Sequence, residues 1–329
     1  MTVELFIDSG APTLYNAMAR KFKVKNRVHT GSTLADRKYD DFSFLDTEKY
    51  KEYRKAYCDF LLKNQKYFEV MINLDIINNS EATWENQQWF ESKGLNVVPV
   101  YHYGCDPKWL DMYMKKGYKY IALGGLHPTP YSELKEPLDE MWIKYFLDKK
   151  GYPKIKVHGF AVTGPKLIYR YPFFSVDSTS WVKLGLFGCV TIPKQKYGKP
   201  DFKSFPMVIF VSVRSSDEYR KNSKHIDNMA EHERKTIIDY IHKKGFKLGS
   251  SKIKKKSLNY SLKNNEKLVK KKKTHKIIEV IEKEGIRNNG ILRDTFNALY
   301  YQDLANSVPK WPWKAQFFNN KGLGLIYNK

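Results

Sequence analysis

Three aspartates and two histidines stand at the ends of short apolar runs: Asp8, Asp75, His102, His158 and Asp177, with the pair Gly124-Gly125 ending a further run. A single aspartate after a strand is usually a turn-former or a helix cap. Its recurrence at one run end after another is the stronger signal. Two aspartates facing one substrate suit displacement at a sugar anomeric carbon. One attacks to give a covalent glycosyl-enzyme, and the other moves protons to the leaving group and from the incoming one. A third aspartate can accept from the ring N–H and exocyclic amine of a nucleobase. Glycine lets main-chain N–H groups come close to a carbonyl. The same Asp and His set also suits a divalent-metal hydrolase. Residue chemistry alone leaves these two readings level.

Such side chains meet only if the elements carrying them converge. Continuous apolar runs at 3–8, 70–75, 96–102, 118–123, 155–160, 173–177 and 186–192, with an eighth at 207–213, read as parallel strands buried on both faces. The segments between them carry helical spacing. After a Thr47 cap, Tyr50, Tyr53, Tyr57 and Leu61 fall on one face. Ser80 opens a second helix that Gly94 closes, and Asp106-Pro107 opens a third that Gly117 closes. This alternation predicts a (β/α)8 TIM barrel over residues 1–213, with the strand ends gathered on one face. The competing doubly wound sheet usually shows an early G-x-G-x-x-G loop, and none follows Asp8. Residues 214–329 are expected to form a basic, mainly helical extension, with helices over 225–244 and 274–299. The aromatic C-terminus (Trp311, Trp313, Phe317, Phe318) is expected to fold back on the barrel.

Charge narrows the partner. The 329 residues hold 58 Lys+Arg against 35 Asp+Glu, a formal net charge of +23. A polyanion explains this through counterion release, and a lysine-rich compositional bias explains it equally well. The excess is concentrated. Between Lys252 and Lys276 there are eleven lysines against one acid, Glu266, including Lys254-Lys255-Lys256 and Lys270-Lys271-Lys272-Lys273. Such a block repels itself and predicts a loop or frayed helix, either solvated or contacting nucleic acid. Hydrophobic residues at 42% exclude a wholly disordered chain. No run is long enough for a membrane span. The N-terminus does not read as a signal peptide. Cys58, Cys105 and Cys189 are isolated, which excludes a disulfide scaffold and predicts packing roles in a reducing compartment, the cytoplasm.

Five strings carry a resemblance: Phe6-Ile7-Asp8-Ser9-Gly10-Ala11, Ile72-Asn73-Leu74-Asp75, Ala122-Leu123-Gly124-Gly125-Leu126, His158-Gly159-Phe160, and Ser175-Val176-Asp177-Ser178-Thr179-Ser180-Trp181. In this order, over residues 3–195, the chain resembles the queuine/archaeosine tRNA-guanine transglycosylase superfamily. Within it, the chain is most similar to the phage and bacterial DNA branch, which places 7-deazaguanines in DNA. The resemblance implies a TIM barrel with Asp177 as nucleophile at C1′ and Asp8 as proton shuttle or supporting carboxylate. Asp75 would read the guanine edge, Gly124 and Gly125 would contact the base carbonyl, and His158 would take the base-stacking position. Ser9 and His102 join the substrate pocket, His102 as a hydrogen bonder or a structural histidine.

The implied substrates are DNA, with tRNA as the alternative, and a free 7-deazaguanine such as a preQ0-type precursor. If the chain is phage-encoded, the compartment is the host cytoplasm. Two departures bear on this. The tRNA enzymes carry a Cys/His zinc site after the nucleophile. This chain has no such cluster, so no metal or other cofactor is expected and the DNA branch is favoured. Where the tRNA enzymes have an aromatic-Gln pair, Ala11-Pro12-Thr13 stands here, which moves base stacking to His158 or Phe160. The lysine tract, through Lys254–Lys256 and Lys270–Lys273, would serve as a backbone-binding arm. Trp181 and the C-terminal aromatics read first as core and second as wedges. Asp36, Asp40 and Asp41, in a long insertion, read as solvated.

Overall fold

Short runs rich in Val, Ile and Phe build a parallel sheet in the first half of the chain. A computed structural model describes residues 6–10, 42–127, 129–214 and 223–318. Strand β1 (Phe6–Ile7) pairs in parallel with β2 (Val70–Met71). A parallel bridge from Ile72 to Val98 carries the ladder onward. Then follow β3 (Val100–His102), β4 (Tyr120–Gly124), β5 (Lys156–Gly159) and β6 (Ser175–Val176), each parallel to the one before. Between consecutive strands lie α1 (Glu48–Asn64), α2 (Ser80–Ser92), α3 (Lys108–Lys116), α4 (Tyr131–Met141) and α5 (Pro165–Arg170). The protein is thus a mixed α/β chain. Its described parallel strands lie side by side in sequence order, without the reversal of a doubly wound sheet.

Local signals set these helices. The Thr47 hydroxyl accepts from the Tyr50 N–H, and Tyr50, Tyr57, Cys58 and Leu61 form the buried face of α1. Gly117 ends α3. The sheet faces α1 and α2 through a core that includes Phe44, Leu61, Met71, Leu74, Phe90 and Val97. Its other face gathers Ile72, Val100 and Ala122, with Phe6, Val98 and Phe160 against them. The Phe6 ring lies 4.5 Å from the His158 ring. Four strand spacings separate β1 from β5, about 19 Å in a flat sheet. The sheet is therefore strongly curved, concave toward Phe6 and His158.

Two compact units divide the chain. Residues 1–163, 167–177 and 310–329 form the first, and residues 164–166 and 178–309 the second. In the first unit Trp142 is fully buried against Phe146, Tyr171 and Phe173. The C-terminal aromatics return to this unit: Trp311 meets Phe174, and Phe317 meets Tyr171.

The second unit contains α6 (Ser180–Leu186), β7 (Cys189–Ile192), the hairpin β8 (Lys194–Lys196) and β9 (Lys199–Asp201), β10 (Met207–Phe210), α7 (Glu231–Lys243), β11 (Ser250–Lys256), β12 (Glu266–Lys271), β13 (Lys276–Lys283) and α8 (Gly290–Ser307). Its core includes Val190, Ile209, Ile226, Ile241, Ile286 and Phe296.

Three expectations are corrected here. The runs at 186–192 and 207–213, read as parallel strands, pair with each other in antiparallel fashion as β7 and β10. The stretch 274–299 is not one helix. Ile277, Ile278, Val280 and Ile281 are β-branched and extend as β13, and helix resumes only at Gly290. The lysine tract is loop only in part, over 257–265 and 272–275, with Lys272 and Lys273 in the second of these. It forms β11 and β12 on either side of β13, in an antiparallel sheet of order β11-β13-β12. The extension is therefore not mainly helical. Among the described residues no helix is long and apolar enough to cross a membrane.

Candidate active site

Register decides which side chains share a level. Val100 stands opposite Ala122, Ala122 opposite His158, and His158 opposite Ser175. Side chains alternate along a strand, so two residues further on His102, Gly124, Phe160 and Asp177 occupy the next level on the same face. Asp8 lies two residues beyond Phe6, whose ring marks that face. The carboxyl ends of the strands thereby bring Asp8, His102, Gly124 and Asp177 together. Asp8 and Asp177 are both solvent-exposed.

Asp75 joins them from the loop after β2. It is buried, with Oδ2 2.9 Å from His102 Nε2 and Oδ1 accepting from the Ser9 hydroxyl at 3.4 Å. Ser9 is itself buried, and its carbonyl accepts from the Tyr53 hydroxyl at 2.7 Å. Packing demands both glycines at the end of β4. A Cβ on Gly124 would lie 2.8 Å from His102 Cδ2. Gly125 has φ +78°, a conformation that side chains disfavour.

His158 is 1% exposed, enclosed by Phe6 and by Phe160 at 4.7 Å, which leaves its ring no open face for base stacking. It stands behind Asp177. Nδ1 is 2.7 Å from Ser175 Oγ, which is 2.6 Å from the Tyr120 hydroxyl. Nε2 points at Asp177 Oδ1 from 3.5 Å, longer than a formed hydrogen bond, and among the described residues it has no hydrogen-bond partner. If Ser175 donates to Nδ1, the ring proton lies on Nε2 and faces the carboxylate. The Ala161 N–H donates to the same Asp177 oxygen at 2.9 Å.

These surroundings drive the two exposed aspartates apart. Asp8 binds its proton more tightly than usual. Desolvation by its neighbours is the largest cause and repulsion from Asp75 the next, with Asp177 adding to it. At Asp177 partial burial also favours the proton, but the His158 ring and the Ala161 amide outweigh it and hold the carboxyl below its ordinary range. Pairs of carboxyl groups pushed in opposite directions divide naturally into acid and anion.

Among the described residues no group of three or more His, Cys, Asp or Glu side chains is arranged to hold a metal ion. The lysines singled out in the sequence lie in the second unit. Lys254, Lys255, Lys270, Lys271, Lys272 and Lys273 are exposed, and Lys256 is half-buried with Nζ 4.5 Å from the Tyr260 ring centroid. Lys256 and Lys271 both stand opposite Lys276, giving a row of three like charges across the sheet. Trp181, on α6, is 37% exposed, while Trp313 is buried. Cys58 and Cys189 are buried and Cys105 half-buried. Asp36, Asp40, Asp41 and Ala11-Pro12-Thr13 lie outside the described residues.

Sequence reasoning missed Tyr53, Tyr120 and Ser175. Ser175 was within reach, because it sits two residues before Asp177 and so shares its face. No protein-family model, curated protein or solved structure matches the chain.

Proposed function

We propose that the protein is a DNA-guanine transglycosylase of the tRNA-guanine transglycosylase type, exchanging guanine in DNA for a free 7-deazaguanine. The observation that carries this reading is the pair of exposed strand-end aspartates with opposed proton affinities, Asp177 ionised and Asp8 inclined to hold its proton. The finer fold reading is a TIM barrel. It is supported by parallel strands in unbroken chain order, each followed by a helix, and by curvature that brings Phe6 to His158.

In this mechanism an Asp177 oxygen attacks C1′ and the C1′–N9 bond breaks. Its electron pair goes to the guanine, which takes the Asp8 proton and leaves neutral. The incoming 7-deazaguanine gives its ring N–H proton to the Asp8 carboxylate. The nitrogen then displaces Asp177 from C1′, so the sugar keeps its configuration after two inversions. Asp75 uses its remaining lone pairs on the base edge, and His158 holds the nucleophile in place. The lysine sheet is a surface for phosphates, and a base in duplex DNA must leave the stack to reach such a pocket.

The test is incubation with duplex DNA and a labelled 7-deazaguanine, followed by digestion to nucleosides. Label is expected in the nucleoside pool with the wild type and absent with Asp177→Ala. Full exchange by Asp177→Ala overturns the assignment of the nucleophile. Label entering tRNA and not DNA moves the substrate to the tRNA branch.

A further inference from the structure

The hairpin β8–β9 contains two local conflicts at one tip. Its turn, Tyr197-Gly198, has positive φ at both residues (52° and 72°), the type I′ geometry that favours Asn-Gly. A bulky residue with positive φ is a genuine outlier. Tyr197 gains little packing in return, for it is 93% exposed and its ring is met by the Lys196 ammonium at 5.7 Å from the centroid. Next to it, Lys196 and Lys199 stand directly opposite each other, a like-charge pair that weakens a hairpin. Lys194 shares their face, two residues along the strand. The one acid of the hairpin, Asp201, is engaged by the Lys203 N–H and the Ser204 hydroxyl. Residues 194–200 are all exposed, and among the described residues the two strands pair only with each other.

Local conflicts without a folding benefit are expected at functional sites. We infer that the Lys194–Asp201 hairpin is a prong for a nucleic-acid strand: the Tyr197 ring stacks on a displaced base, and Lys194, Lys196 and Lys199 meet the flanking phosphates. Both conflicts then acquire a partner. An exposed aromatic ring accepts any base face, and phosphates neutralise the opposed lysines. This inference rests on the reading of DNA as the substrate.

The test uses the full chain with a duplex carrying 2-aminopurine, whose fluorescence rises when it unstacks. The wild type is expected to raise the signal several-fold. Tyr197→Asn should lose that rise while its thermal midpoint holds or increases, because Asn suits the turn. Tyr197→Trp should keep the rise. Replacing Lys196 and Lys199 with Gln should flatten the log–log salt dependence of binding by about 1.8. Equal fluorescence from Tyr197→Asn and wild type overturns the prong alone. So does a change in oligomeric state on sedimentation of Tyr197→Asn, which would mark the tip as a contact between copies of the chain. Failure of the wild type to bind DNA overturns the prong together with the DNA reading.

Discussion

Asp8 and Asp177 have the same side chain and opposite shifts in proton affinity, and the difference comes wholly from their neighbours. Desolvation by neighbouring groups is the largest influence on both and favours the proton; at Asp177 the His158 ring is the largest opposing one. The proposed first half-reaction needs Asp177 ionised and Asp8 protonated. Activity should therefore fall on the acid side below the ordinary aspartate range, and on the alkaline side as pH rises through the elevated Asp8 value. His158→Gln removes the ring that holds the Asp177 carboxyl down, so the acid limb of kcat/KM should move to higher pH. Asp8→Asn should abolish the alkaline limb and lower kcat/KM by about 10²–10⁴-fold, the usual contribution of a positioned acid. Stability carries the reverse sign. Asp8 has a folded value above its unfolded one, so its ionisation opposes folding as pH rises through the folded value. Asp8→Asn should therefore raise the thermal midpoint at neutral pH and change it little below pH 3.8. A pH-rate series and melting curves on the two variants check both signs. Asp8 and Asp177 themselves were legible in the sequence, because each directly follows a short apolar run. Their division of labour was not, since it depends on His158, Ala161 and Asp75 arriving from other strands.

At the scale of elements, the β–α alternation from β1 to β6 was readable because periodicity, caps and glycine stops are local. Thr47 and Gly117 stand where the spacing placed them. The second unit was misread because its pairings are not local. A lysine-rich stretch has no strand signal of its own, and it extends only because β13 supplies isoleucines between β11 and β12. Near the end of that sheet two backbones touch. Gly249 has φ +77°, and a Cβ there would lie 2.7 Å from the Gly285 nitrogen and 2.8 Å from the Lys283 oxygen. Gly249→Ala should cost about 2 kcal/mol or more, combining strain with a backbone collision. Gly245→Ala is the control, since Gly245 has φ +83° and nothing within 4 Å of the added atom. It should lose about 1 kcal/mol, from the dihedral alone. Denaturant midpoints of the two variants separate the terms, and equal losses would remove the collision from the account.

For the whole molecule, the charge of +23 acquires a geometry. Lys256, Lys276 and Lys271 form a row across three strands, where neighbouring strands lie about 4.8 Å apart. Replacing Lys254–Lys256 and Lys270–Lys273 with Gln should reduce the log–log salt slope of DNA binding by about 0.9 for each lysine that meets a phosphate. An unchanged slope would mean that the sheet is only solvated. By itself the sequence determined the residue types at the strand ends, the strand–helix rhythm and the charge excess, because each is a property of neighbours along the chain. Only the tertiary structure decided that His158 backs Asp177, that Asp75 is tied to His102 and Ser9, and that most of the tract's lysines lie on a sheet. Proton affinity and strand pairing depend on distances through space, and those distances are absent until the chain has folded.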